Sequence, residues 1–252
     1  MSAPYSHTMR VKATLAYDGS RYYGSQKLLH SKKESYPTIQ LEIEKCLHAY
    51  NISSPTIFSG RTDKNVHATR QVISFDLPPF WKDLEKLKKA INRQLSSIKI
   101  RYMEFVNNDF HPRYQAKRRT YRYIISTKAN NPFQTNYITF LDSFNVERAK
   151  KTIKYFEGEH DFEYFRKSGS DETSTIRKIF KTEIYQHKEY IILKFVGNGF
   201  LRSQIRMMVG AIIAENSGLL STLQIKEQLY KKAKHFNKPA EAAGLYLAHI
   251  AY

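Results

Sequence analysis

Two hydrophobic periods alternate along this chain, and their order restricts the fold more than any other feature. Val11, Ala13, Leu15 and Tyr17 interleave with Lys12, Thr14 and Ala16, the two-residue period of a half-buried strand, and Asp18-Gly19-Ser20 ends it in a turn. After Pro37 the period lengthens: Thr38 is placed to cap a helix whose apolar stripe is Ile39, Ile43, Cys46, Leu47 and Tyr50. A strand over 71–77, a helix marked by Leu84, Leu87, Ile91 and Leu95, and a strand over 99–106 complete a first half. The second half repeats that order with longer elements, without a residue-level repeat. It reads as a strand over 119–125, a helix through Val146, Ala149, Ile153 and Phe156, and a hairpin of 180–185 and 190–195 joined by Gln186-His187-Lys188-Glu189. A helix through Leu201, Ile205, Met208, Val209 and Ile212 follows, stopped by Gly218, and 246–252 forms a last strand. The pattern predicts an α+β fold of two similar α/β halves, 1–108 and 109–252. They would share a largely antiparallel mixed sheet with a central basic active-site cleft. The loop 166–174, rich in Ser, Gly and charge, is expected to be mobile.

At 252 residues the chain can bury a core without staples, and Cys46 is its single cysteine. A lone thiol points to a reducing compartment and cannot build a closed thiolate metal shell, so neither a disulfide nor a metal is expected. No apolar run approaches membrane-spanning length, and the first ten residues hold Pro4, His7 and Arg10 without an apolar stretch. A cytoplasmic protein without membrane contact follows from these readings. Forty-one Lys and Arg against twenty-three Asp and Glu leave a formal charge of +18, which favours a polyanionic partner. No acidic residue stands between Asp109 and Asp142, where Arg113, Lys117, Arg118, Arg119, Arg122 and Lys128 are interleaved with Tyr114, Tyr121 and Tyr123. Cations mixed with aromatics suit RNA, whose backbone takes the charge and whose splayed bases stack on rings.

One polar loop concentrates chemistry: Gly60-Arg61-Thr62-Asp63-Lys64-Asn65-Val66-His67-Ala68 sets a carboxylate between an arginine and a histidine, just before a strand. An Asp in such a loop is ordinarily a turn or cap residue, so its neighbours in space must decide.

Five segments together resemble the tRNA pseudouridine synthases of the TruA type. They are Tyr17-Asp18-Gly19-Ser20-Arg21-Tyr22-Tyr23-Gly24-Ser25-Gln26, the loop Gly60 to Ala68, and Ala116-Lys117-Arg118-Arg119-Thr120-Tyr121-Arg122-Tyr123. The last two are Gly199-Phe200-Leu201-Arg202-Ser203-Gln204-Ile205-Arg206-Met207-Met208-Val209-Gly210 and Gly244-Leu245-Tyr246-Leu247. The resemblance implies isomerisation of uridine to pseudouridine in the anticodon stem-loop of tRNA, without cofactor or metal, by a homodimer. It makes Asp63 the catalytic carboxylate, Arg206 its ion-pair partner and Tyr121 the ring against the target uracil. By spacing, Arg202 is a rival to Arg206, and Tyr123 shares the strand face of Tyr121. The resemblance also makes Arg61 the cation that helps flip the target nucleotide; Arg21, Lys117, Arg119 and Arg202 are read as further RNA-binding cations. His67 is read chiefly as a loop hydrogen-bonder that touches RNA phosphate.

The sequence departs from the family pattern in two places. Lys64-Asn65 stands where Ala-Gly is usual, which predicts a positive φ at Asn65. Ser25 stands where Trp is common, which removes an apolar contact beside the RNA groove. Two other classes stay open from the residues: a non-catalytic basic RNA-binding or RNA-chaperone module, and a nuclease using Asp63 and His67, which lacks the carboxylate cluster for a two-metal site.

Overall fold

The computed structural model describes residues 8–27, 36–169 and 173–252. Residues 1–7, part of the N-terminal reading, and 170–172, part of the loop expected to be mobile, lie outside the described residues. The chain divides into two compact units, Met1–Ala116 with Tyr252, and Lys117–Ala251, against an expected boundary at 108/109. The connecting residues stay with the first unit because they pack on it. Arg10 Nη1 donates to the Phe110 carbonyl at 3.3 Å, the Tyr252 hydroxyl donates to the Pro112 carbonyl at 2.9 Å, and the Phe110 and Tyr252 rings are 5.1 Å apart.

In the first unit β1 (Met9–Tyr17) leads through a one-turn 3-10 helix (Gly19–Arg21) to α1 (Ile39–His48). Next come β2 (Ile57–Phe58), β3 (His67–Leu77), α2 (Leu84–Gln94) and β4 (Ile98–Phe105). The strand order is β4-β1-β3, antiparallel throughout, with β2 antiparallel to β3. The alternation read in β1 is real: Val11, Ala13, Leu15 and Tyr17 are buried and their neighbours are not. Thr38 caps α1 as expected, accepting the Leu41 N–H at 3.2 Å. In β3 the whole run Gln71, Val72, Ile73, Ser74 and Phe75 is buried, as in a strand covered on both faces.

The second unit holds β5 (Arg118–Ser126), β6 (Thr139–Phe140), α3 (Val146–Ile153), β7 (Gly158–Asp161) and β8 (Ile176–His187). It ends with β9 (Tyr190–Gly197), α4 (Gln204–Asn216), α5 (Thr222–Leu229) and β10 (Leu245–Ala251). Its strand order is β10-β5-β9-β8-β7, antiparallel except for the parallel pair of β5 with β6. The hairpin turn is tighter than the four residues expected. His187 pairs with Tyr190, and Lys188 takes φ 55, the left-handed start that a two-residue turn demands. No described helix is long and apolar enough to cross a membrane.

Candidate active site

The loop carrying Asp63 leaves the short β2 and re-enters the sheet at β3, and buried polar groups brace both flanks. Gln71 on β3 donates through Nε2 to the Gly60 carbonyl at 2.9 Å and to the Tyr17 hydroxyl at 3.4 Å. Its Oε1 accepts from Ser59 Oγ at 2.7 Å and from the Val72 N–H at 3.1 Å. The Tyr17 hydroxyl lies 2.8 Å from Thr62 Oγ1, one residue before Asp63. Polar groups this deep are tolerated only when bonded, so the network defines one loop position. Asp63 itself is half-buried.

Burial pushes the Tyr17 phenol from 10.0 up to about 12. The folded state therefore favours the neutral phenol. Its contribution is whole below pH 10 and is lost as pH rises from 10 through about 12. Urea melts over that interval should show wild type losing stability that Tyr17→Phe does not lose; equal losses would place the titration elsewhere.

Asp63 to Val66 form a turn closed by the Val66 N–H on the Asp63 carbonyl at 3.2 Å, and Asn65 has φ 63. Positive φ at the third residue is the type II pattern, and Asn meets it as expected from the sequence. The His67 ring is 2 % exposed, and its Nδ1 accepts the Gly19 N–H at 3.0 Å. It ties the loop to the 3-10 turn after β1. This is the loop hydrogen bond expected of His67 from the sequence.

In the second unit the two tyrosines part company. Tyr123 is 0 % exposed, its hydroxyl 2.6 Å from Thr139 Oγ1 and donating to the Glu241 carbonyl at 2.9 Å, and burial pushes its phenol upward. That makes Tyr123 core. Tyr121 retains 8 % exposure and meets Phe200 edge-on, ring centroids 5.2 Å apart. On α4 the Arg206 Nε donates to the Ala240 carbonyl at 2.8 Å, while the Arg206 carbonyl accepts the Ala240 N–H at 2.8 Å. The first bond anchors its guanidinium at Nε, and the second ties the helix backbone to the same residue, Ala240. Arg202 does not lie on the helix with Arg206, contrary to expectation. Ser203 at the N-cap takes φ 58, which breaks the helical path, so Arg202 sits in the preceding turn and reaches the Ser168 and Gly169 carbonyls, each at 3.3 Å.

Arg21, Arg61 and Lys117 are exposed, and the partly covered Arg119 donates to the Asn198 carbonyl at 2.8 Å. Strand alternation puts Arg119 on the same face of β5 as Tyr121, with Arg118 and Arg122 on the other. Ser25, where the family pattern has Trp, is buried and bonded to Thr62. Tyr17, Gly19 and Gln71 were missed as site residues. A Gln within a strand run was the available signal, since a buried amide needs partners.

Residues 152–252 match the family described as tRNA pseudouridine synthase. The tRNA pseudouridine synthase A of Wolinella succinogenes is 37 % identical over 241 residues, covering 95 % of this chain and 93 % of the relative. The chain belongs to the tRNA pseudouridine synthase A family. It is thereby an isomerase, a pseudouridine synthase. The relative from Campylobacter jejuni is 35 % identical over 97 % of this chain and 100 % of its own length, and that from Lactococcus lactis 38 % over 96 % and 97 %. Coverage this complete takes in both the Asp63 loop and α4.

Proposed function

We propose that the chain isomerises uridines in the anticodon stem-loop of tRNA, with Asp63, Tyr121 and Arg206 as its catalytic residues. The observation that carries the reading is the Asp63 loop: a half-buried carboxylate whose backbone neighbours are bonded to buried groups on two flanks. Pre-positioning of this kind lowers a barrier by removing the cost of orientation. In the reaction the C1′–N1 bond breaks, the uracil turns and a C1′–C5 bond forms; C5 loses a proton and N1 gains one. Asp63 adds at ribose C1′ or at the uracil ring, as carboxylates do at other glycosidic centres. Arg206 aims that carboxylate, and Tyr121 stacks on the uracil and takes up the C5 proton. Arg61 stabilises the flipped nucleotide, whose unstacking costs a few kcal/mol. Arg21, Lys117, Arg119 and Arg202 hold phosphates, while His67 acts through the loop. The enzyme works as a cytoplasmic homodimer spanned by one tRNA; a sedimentation mass of one chain would reject the dimer.

The test is direct. Purified protein incubated with unmodified tRNA, without added metal or nucleotide, should produce pseudouridine that carbodiimide-dependent reverse-transcription stops place in the anticodon stem-loop. Tight binding without product would favour the non-catalytic RNA-binding module. The combined Lys117→Glu and Arg119→Glu change should weaken tRNA binding by about tenfold or more and flatten the salt dependence by about two contacts. An unchanged salt slope would remove this strand from the RNA face.

A further inference from the structure

Tyr22 to Ser25 run beside Thr62 to Asn65, and the contacts between the two stretches are paired and polar. Ser25 is 0 % exposed; its Oγ accepts the Thr62 N–H at 2.9 Å, and its own N–H donates to the Thr62 carbonyl at 3.1 Å. The Asn65 N–H donates to the Tyr22 carbonyl at 3.3 Å. Lys64 Nζ lies 3.9 Å from the centroid of the Tyr23 ring, which stacks on Tyr36 at 4.1 Å. Thr62 and Lys64, the two residues that bracket Asp63, are thus both held by this earlier segment.

The far side of the segment is anchored as well. The first amides of α1, Ile39 and Gln40, donate to the Gly24 and Ser25 carbonyls at 3.2 and 2.9 Å, and the Tyr23 N–H donates to the Pro37 carbonyl at 2.9 Å. Helix N-terminal amides need outside acceptors, and here the clamp formed by Tyr22 to Ser25 supplies them. Lys27 pairs with the buried Glu44 of α1, and its N–H donates to Gln40 Oε1 at 3.2 Å. An unbroken path of hydrogen bonds therefore runs from α1 through Ser25 to Thr62, next to Asp63.

We infer that Ser25 is a positioning residue, fixing through Thr62 the backbone that carries the Asp63 carboxylate; the inference rests on Asp63 being the catalytic group. Without the Ser25 hydroxyl, the buried Thr62 N–H must shift to find another acceptor. Such a shift slows chemistry while leaving Lys117, Arg119 and Arg202 on other elements, and so most of the RNA affinity, untouched.

The full chain with Ser25→Ala, the near-isosteric Ser25→Cys, or Ser25→Thr tests this. The measurements are single-turnover rate on tRNA tritiated at uridine C5, tRNA affinity, and hydrogen exchange at the Thr62 amide. Ser25→Ala should exchange faster at Thr62 and lose about 10- to 100-fold in rate, with affinity held within about twofold. Ser25→Cys keeps the volume, weakens the acceptor and carries the same expectation should the alanine variant fail to fold. Ser25→Thr, which keeps the hydroxyl, should recover most of the rate. Wild-type rates in the Ala and Cys variants overturn the inference, and so does a rate loss matched by an equal loss of affinity. Product from Asp63→Ala would instead overturn the catalytic reading beneath it. A dead Asp63→Ala beside a fully active Ser25→Ala sinks the clamp alone.

Discussion

Replacing Asp63 by alanine is expected to abolish pseudouridine formation while leaving tRNA affinity within about threefold of wild type. Separation of the two effects follows from what holds the loop. Thr62 is fixed by Tyr17 and Ser25, Asn65 by the Tyr22 carbonyl, and the Val66 N–H bonds to the backbone of residue 63 and not to its side chain. Residue 63 is not among the positive-φ positions, so alanine can follow the same backbone. The substitution removes the carboxylate and leaves these bonds of the neighbouring residues in place. Loss of the group that bonds to the reacting centre typically costs roughly four orders of magnitude or more in rate. Tritium release from uridine C5 under single turnover measures it, with Asp63→Asn as the shape-preserving companion. Release at a tenth of the wild-type rate by either variant would mean that another group performs the chemistry.

Where a local rule decides a feature, the sequence already shows it. The period of β1, the Thr38 cap of α1 and the left-handed Asn65 each depend on a few adjacent residues, and each is found. The helix α5 is not legible by periodicity although Ser221-Thr222-Leu223-Gln224 carries a complete capping box, because its eight residues offer too short a stripe. Periodicity puts Arg202 on α4, because it cannot see the single left-handed Ser203 that starts the helix two residues later. Tyr121 and Tyr123 share a strand face, so only a tertiary fact separates them: Thr139 and the Glu241 carbonyl claim the Tyr123 hydroxyl. Ser25 is the sharpest case. Against the family pattern it looked like an omission, and only its partner Thr62, 37 positions later, gives it a role.

Gly19→Ala is expected to damage stability and rate together, for a reason of space. Gly19 has no positive φ, so alanine suits its backbone, yet an added Cβ would lie 2.0 Å from the Val66 carbonyl oxygen and 2.5 Å from its carbon. Both are backbone atoms that no rotamer change can withdraw. Val66 must move by about 1 Å to reach a tolerable contact. It is not free to do so cheaply, since its N–H closes the turn on Asp63 and the next residue, His67, accepts the Gly19 N–H. Overpacking against a fixed wall costs up to about 3 kcal/mol, which lowers the melting midpoint by about 6–12 °C in a chain of this size. A 1 Å displacement beside the catalytic group also costs about 100-fold in rate, measured well below the lowered midpoint. Gly218→Ala is the control: Gly218 has φ 80 with nothing within 4 Å of an added Cβ. That variant should lose about 1 kcal/mol to backbone strain and keep its rate. If Gly19→Ala melts like Gly218→Ala and turns over like wild type, the turn at Val66 is soft and the Asp63 loop is not held as its contacts imply.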